Sequence, residues 1–176
     1  MLRLPNLLRA KEGLAAVEFA LLAPVLATLL MGTIELCNAL ECRQKVSSET
    51  SSVADLVAQT SSVSDADLSN IFSAGNSILY PFASGGVTVV VSSIVNQPTG
   101  ANVVDWSKPY NGGTELQKGT QVTVPAGIIA PGGSAIFVQV SYNYTSPIGQ
   151  LIFGSIEMGD SFYARPRDSA KVTYTD

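Results

Sequence analysis

Among side chains that do chemistry, histidine is missing altogether. Its absence removes Ser-His-Asp and Cys-His catalysis, and with them histidine-ligated zinc and haem. Cys37 and Cys42 cannot build a four-thiolate metal site. Five positions apart on a helix, they diverge by about 140°, which disfavours an internal disulfide. An intermolecular bridge stays open in an oxidising compartment; burial of both as small apolar groups is the simpler reading. No pair of acids is marked for general acid–base work. The glycine pairs at 85–86, 112–113 and 132–133 read as turns, because no Lys-Ser/Thr follows them to open a helix over a phosphate. The inventory therefore points to no catalytic residue, no metal set, no cofactor and no small-molecule substrate. One pattern remains, GLAAVEF over 13–19: Gly13, four residues, Glu18, then Phe19. Glycine has no side chain, so the chain can lie extended there without steric penalty. An acid at the edge of an apolar run is costly unless something pairs with it.

The element that must carry this pattern is a helix. FALLAPVLATLLMGTI, 19–34, has no formal charge and spans about 24 Å as a helix, a little short of the ~30 Å hydrocarbon core. Residues 15–17 before it and 36–40 after it can complete the span. Arg3, Arg9 and Lys11 precede it against a single Glu12, so the basic end is expected in the cytoplasm and the remainder exported. Pro24 lies inside the run, where membrane helices tolerate it as a kink. Three readings compete: a plain anchor, a secretory signal cut after Ala39, and a motif built on Gly13 and Glu18. Glu18 also has a plain role as a helix N-terminal acid favoured by the macrodipole. Glu35, about 100° round the helix from Glu18, is expected at the outer headgroup level.

Gly13, Glu18 and Phe19 resemble a class III prepilin processing site. The longer stretch GLAAVEFALLAPVLATLLMGTIEL resembles the opening of TadE-like proteins, the pseudopilins or minor pilins of tight-adherence (Flp) pilus systems. The resemblance implies cleavage between Gly13 and Leu14 by an aspartic prepilin peptidase. It also implies assembly through Glu18, Phe19 and Pro24, with Glu18 meeting the new α-amino group of a neighbouring subunit. The partners so implied are the membrane, the peptidase, other pilins and the assembly platform. The location implied is the bacterial inner membrane with a periplasmic C-terminal domain, with incorporation into an extracellular pilus open. Loss of 1–13 would make an already acidic chain, net −4, more acidic. Nothing in that balance offers a footprint for nucleic acid.

Beyond residue 40 the helix is expected to continue, with Val46, Val53, Leu56 and Val57 on one apolar side, and to break at 60–63. Ser64 to Asp67 reads as a capping box opening a second helix that carries Leu68, Ile71 and Phe72 and ends before Pro81. Strands are expected at 87–95, 102–106, 135–144, 162–165 and 170–174, with 121–124 either a strand or a short connection ending at Pro125. In 135–144, Ile136, Val138, Val140, Tyr142 and Tyr144 share one face, with Phe137 the exception on the other. Trp106 is expected as a core or edge anchor. Arg165-Pro166-Arg167 is expected as a solvated edge or a local bridge to Asp160 or Asp168. Leu79-Tyr80-Pro81, Ser92-Ser93-Ile94, Trp106, Tyr142-Asn143-Tyr144 and Arg165-Pro166-Arg167 extend the resemblance in order and spacing.

Helices followed by strands give an α+β, pilin-like layout. The expected divisions are a basic leader 1–13, a transmembrane and assembly helix 14–40, a helix extension and linker 41–63, and an extracytoplasmic α+β domain 64–176 with a core of its own. The alternative function is a membrane-anchored extracytoplasmic binding or adhesion module with an uncleaved helix.

Overall fold

The computed structural model describes residues 13–82, 84–146 and 154–176; the expected leader, apart from Gly13, lies outside them. No proline occurs between residues 25 and 80, and the four serines at 47, 48, 51 and 52 cost only a few tenths of a kcal/mol each in a helix. One helix, α1, accordingly runs unbroken over Leu14–Ala58. The described residues fall into two compact units, one ending at Asn38 and one over Ala39–Asp176. The described part of the first unit is the N-terminal portion of α1.

In the second unit the order is α1, β1 (Ser62–Val63), α2 (Asp65–Ile78), β2 (Val87–Asn96), β3 (Asn102–Tyr110), β4 (Ser134–Thr145), β5 (Ser155–Ala164) and β6 (Thr173–Tyr174). It is an α+β fold with an antiparallel four-stranded sheet ordered β3-β2-β4-β5. β2 is β-branched and sits centrally, with Val89 opposite Val140 and Val91 opposite Val138. β4 carries the expected apolar face: Ile136, Val138, Val140, Tyr142 and Tyr144 are all buried, while Gln139 and Asn143 are exposed. Phe137, on the other face, is also buried and stacks on Tyr163.

That apolar face needs a covering layer, and α1 supplies it. Cys42, Val46, Glu49, Thr50, Val53, Ala54, Val57 and Ala58 are its buried positions, a three–four spacing that traces one stripe. All but Glu49 and Thr50 join Val87, Val89, Val91, Ile136, Val138 and Val140 in one core cluster. Each buried valine contributes roughly 1.5–3 kcal/mol. Leu56 departs from expectation: it lies off the stripe and is exposed. α2 adds Leu68 and Phe72 to the same core. Its capping box is formed as read, Ser64 accepting from the Asp67 N–H and Asp67 accepting from the Ser64 N–H. The Ser64 hydroxyl, which donates to Asp67 Oδ2 at 2.7 Å, and then the Ser64 N–H hold the Asp67 carboxyl below its ordinary range. The close approach of α2 to α1 needs Gly75, where an added Cβ would lie 2.8 Å from Val53 Cγ2.

Several strand expectations change. β3 continues through Pro109 to Tyr110; the proline's partner strand is β2, and a proline is tolerated where its nitrogen faces away from the ladder. Of the two readings of 121–124, the structure takes the connection. Gln121 makes a single bridge to Val103, and the Val122 N–H donates to Asn102 O, so this segment runs along the outer edge of β3. β5 starts at Ser155, well before 162, because β4 offers it a continuous ladder from Ile136 to Thr145. The last strand shrinks to β6, and pairs in parallel with β1 inside the expected break. Trp106 is buried and its Nε1–H donates to Val172 O at 2.9 Å.

Two predictions follow from this packing. Val138→Asp places an unpaired charge in the core and should cost roughly 4 kcal/mol or more, whereas Gln139→Asp should stay within about 0.5 kcal/mol of the parent; thermal melts of detergent-solubilised protein read both. Because α1 completes the core, a fragment 39–176 should melt cooperatively and a fragment 64–176 should not, as circular dichroism would show.

Candidate functional site

Gly13 immediately precedes the first residue of α1, and an added Cβ there would meet nothing within 4 Å. Leu14 and Phe19 follow, both more than 60% exposed, and Glu18 is exposed between them. Glu18 makes no ion pair with any described residue. The structure thus presents Gly13, Leu14, Glu18 and Phe19 together at the open start of one helix. Leu14 and Glu18 are one turn apart, so they lie on the same side.

The helix then turns apolar on every side. Leu21, Leu22, Val25, Leu26, Leu29, Leu30 and Met31 are exposed in succession. An all-round apolar helix must be covered by something other than water. α1 is long and apolar enough to cross a membrane, and its most apolar window has no residue buried inside the protein. Pro24 sits in this stretch without ending the helix. It has no N–H for the carbonyl one turn back, while its own carbonyl accepts from Thr28 Oγ1 at 2.8 Å. Thr33 Oγ1 bonds Leu29 O in the same way. Both hydroxyls are thereby satisfied without water, as an apolar surrounding requires.

The cysteines separate. Cys42 is buried and its thiol is pushed up to about 11, first by burial and then by the Glu41 charge. It stays protonated and inert near neutral pH. Cys37 is exposed, which corrects the expectation that both are buried; it falls outside the stripe that begins at Cys42. Arg165 and Arg167 are solvent-exposed, as the solvated-edge reading has it, and only the local-bridge reading is corrected. Arg167 pairs with Asp55 of α1, not with Asp160 or Asp168, and Arg165 donates to the Gly127 and Ile128 carbonyls. The Arg167 N–H donates to Ala58 O, so this motif closes the C-terminal end of α1.

Sequence reading missed Glu49. It is fully buried, and neither carboxylate oxygen has a hydrogen-bond partner among the described residues. Burial raises its carboxyl to about 7. The signal available was its spacing: Glu49 falls three after Val46 and four before Val53, on the apolar stripe. Among the described residues no group of His, Cys, Asp and Glu could hold a metal ion.

Residues 13–54 match a family described as TadE-like protein. The match opens on Gly13, takes in the apolar stretch and reaches the docked stripe of α1. The motifs noted at Leu79 and beyond lie outside the matched stretch. Neither the curated proteins nor the solved structures give a match.

Proposed function

We propose, from a TadE-like segment that begins on Gly13, that this chain is a minor pilin or pseudopilin taking part in assembly of a tight-adherence pilus. Its role is structural. The leader 1–13 is removed by a prepilin peptidase, Leu14 becomes the new N-terminus, and 14–40 is the membrane and assembly helix. The exported α+β part then lies in the periplasm, beside the assembly platform and other pilins. The observation that carries this reading is the coincidence of three features at one place: the start of the family match, a glycine with open space around it, and the start of an all-round apolar helix.

Glu18 supports the same reading. Leu14 to Asn38 has no packed core in which a charge could be paired, yet an acid stands at the entrance to the apolar stretch. A helix that only anchors gains little from it, and an acid at that depth is costly. The α-amino group that cleavage would create on a neighbouring chain is a complementary charge. Phe19 and Pro24 serve the packing of that helix among others, Phe19 as an exposed aromatic and Pro24 as a point where the backbone ladder is already short of one bond.

N-terminal sequencing of membrane-extracted protein tests the proposal. A start at Leu14 is expected. An intact Met1 would instead favour an uncleaved membrane-anchored binding module, and a start at Leu40 a secreted protein.

Gly13→Ala should block or greatly slow processing while leaving the fold intact, since the added methyl meets nothing in this chain. Immunoblotting should show a larger species; a mature-sized product would remove Gly13 from the cleavage site. Glu18→Gln should be processed normally and fail in assembly, with pilus yield down roughly tenfold or more if an intramembrane charge pair is lost. Counting pili by electron microscopy reads this. Normal pili would exclude the pairing role, and loss of processing would assign Glu18 to protease recognition.

A further inference from the structure

Glu41, Lys45 and Glu49 stand four apart along α1. Residues at that spacing are neighbours on one helix face, and an acid four residues before a lysine pairs better than one four residues after it. The structure shows Lys45 in the better arrangement. Its Nζ lies 3.9 Å from Glu41 Oε1, and it donates at 3.4 Å to Ile78 O, the last residue of α2. Lys45 therefore clips the end of α2 onto α1. Glu49, four residues further on, is left buried with both oxygens unpartnered.

Glu49 has no room to hydrate where it stands. Gly75 of α2 lies against it: a Cβ on Gly75 would be 3.4 Å from both Glu49 Cγ and Oε1, and 2.8 Å from Val53 Cγ2. A neutral carboxyl can occupy this crossing. An ionised one requires water or a cation, and separation of α1 and α2 at Gly75 would admit water. The neighbouring Asn76 also leaves Oδ1 buried without a partner while its amide donates to Tyr110 OH. A further orphaned acceptor thus stands on the residue next to Gly75.

The ionisable groups on the elements around this crossing leave Lys45 as the available cation. On α1 these are Glu41, Lys45 and the protonated Cys42 thiol, while Arg43 is exposed off the buried stripe and Asp55 is paired with Arg167. On α2 the only ionisable groups are Asp65 and Asp67 in its first turn, engaged with Lys108 and Ser64 respectively. The sheet contributes the phenols of Tyr110 and Tyr142, the latter raised by burial and by Cys42. In the C-terminal segment Arg167 is held by Asp55.

We propose that Lys45 is a proton-controlled latch: it clips α2 to α1 while Glu49 is protonated, and transfers to Glu49 and releases α2 when Glu49 ionises. The docking of α2 would then respond to the acidity of the compartment that holds this unit.

The direction follows from linkage. Glu49 is raised from 4.5 to about 7 in the docked state. The docked state is fully favoured below about 4.5 and loses ground as pH rises to about 7, by up to tenfold per pH unit. Hydrogen exchange of the full chain in nanodiscs, corrected for intrinsic rates, tests this at the amides of 76–80. Wild type should lose protection progressively over that window and level off above it. Glu49→Gln, and Glu49→Met as a second variant that needs no hydrogen bond, should show a flat profile. Lys45→Met should be less protected than wild type even at low pH, because the clip to Ile78 O is gone. Its profile should also be shallower, because the ionised Glu49 has no ammonium to receive. A wild-type-like pH profile in both Glu49 variants would overturn the proposal. So would a Lys45→Met profile parallel to wild type, which would leave Glu49 as a buried acid with no lysine partner.

Discussion

The second unit depends on one contact: the stripe from Cys42 to Ala58 laid on the apolar face of the sheet. A sheet with one apolar face is unstable until that face is covered. β2 and β4 bring Val87, Val89, Val91, Ile136, Val138 and Val140 to one surface, and α1 is the longest element available to bury them. α2 fills the space beside α1, and the approach of the two helices is close enough to exclude any side chain at residue 75. The sheet domain and the end of the long helix therefore share one core.

The chain tail secures that contact. Arg167 pairs with Asp55, its N–H takes the Ala58 carbonyl, and Thr173 and Tyr174 pair with Ser62 and Val63 just past the helix end. Trp106 hands its indole N–H to Val172 and ties the same tail to β3. The helix C-terminus would otherwise leave its last carbonyls unsatisfied. Here the partner is more than a hundred residues away in sequence. The surface ion pairs themselves add little, but the backbone bonds around them satisfy buried groups and set the tail's register.

The two parts of α1 solve opposite problems with one backbone. Up to Asn38 the helix is apolar all round and covers none of itself, which suits a lipid or helix-packed surrounding. From Cys42 onward the apolar residues narrow to a stripe and polar residues fill the rest. Glu49 interrupts that stripe. A buried acid lowers stability near neutral pH, and its retention at the crossing with α2 is what gives the Lys45 position a second possible partner.

What the sequence determined by itself was everything governed by local period and local chemistry. The apolar run and its proline-free continuation gave α1; the Ser64–Asp67 spacing gave the capped start of α2; the alternation of Ile136, Val138, Val140, Tyr142 and Tyr144 gave the core face of β4. The Gly13–Phe19 pattern was visible for the same reason, since its residues are adjacent in the chain. The tertiary structure alone decided the rest, because those features depend on partners far away in sequence. β5 extends to Ser155 because β4 offers a ladder, not because its own residues alternate strongly. Residues 121–124, open to either reading by sequence, form a connection because they meet only the edge of β3. Arg167 turns to Asp55 because the tail crosses the helix end. Glu49 falls on the apolar stripe by spacing, but its burial against α2, which no spacing reports directly, is what changes its chemistry.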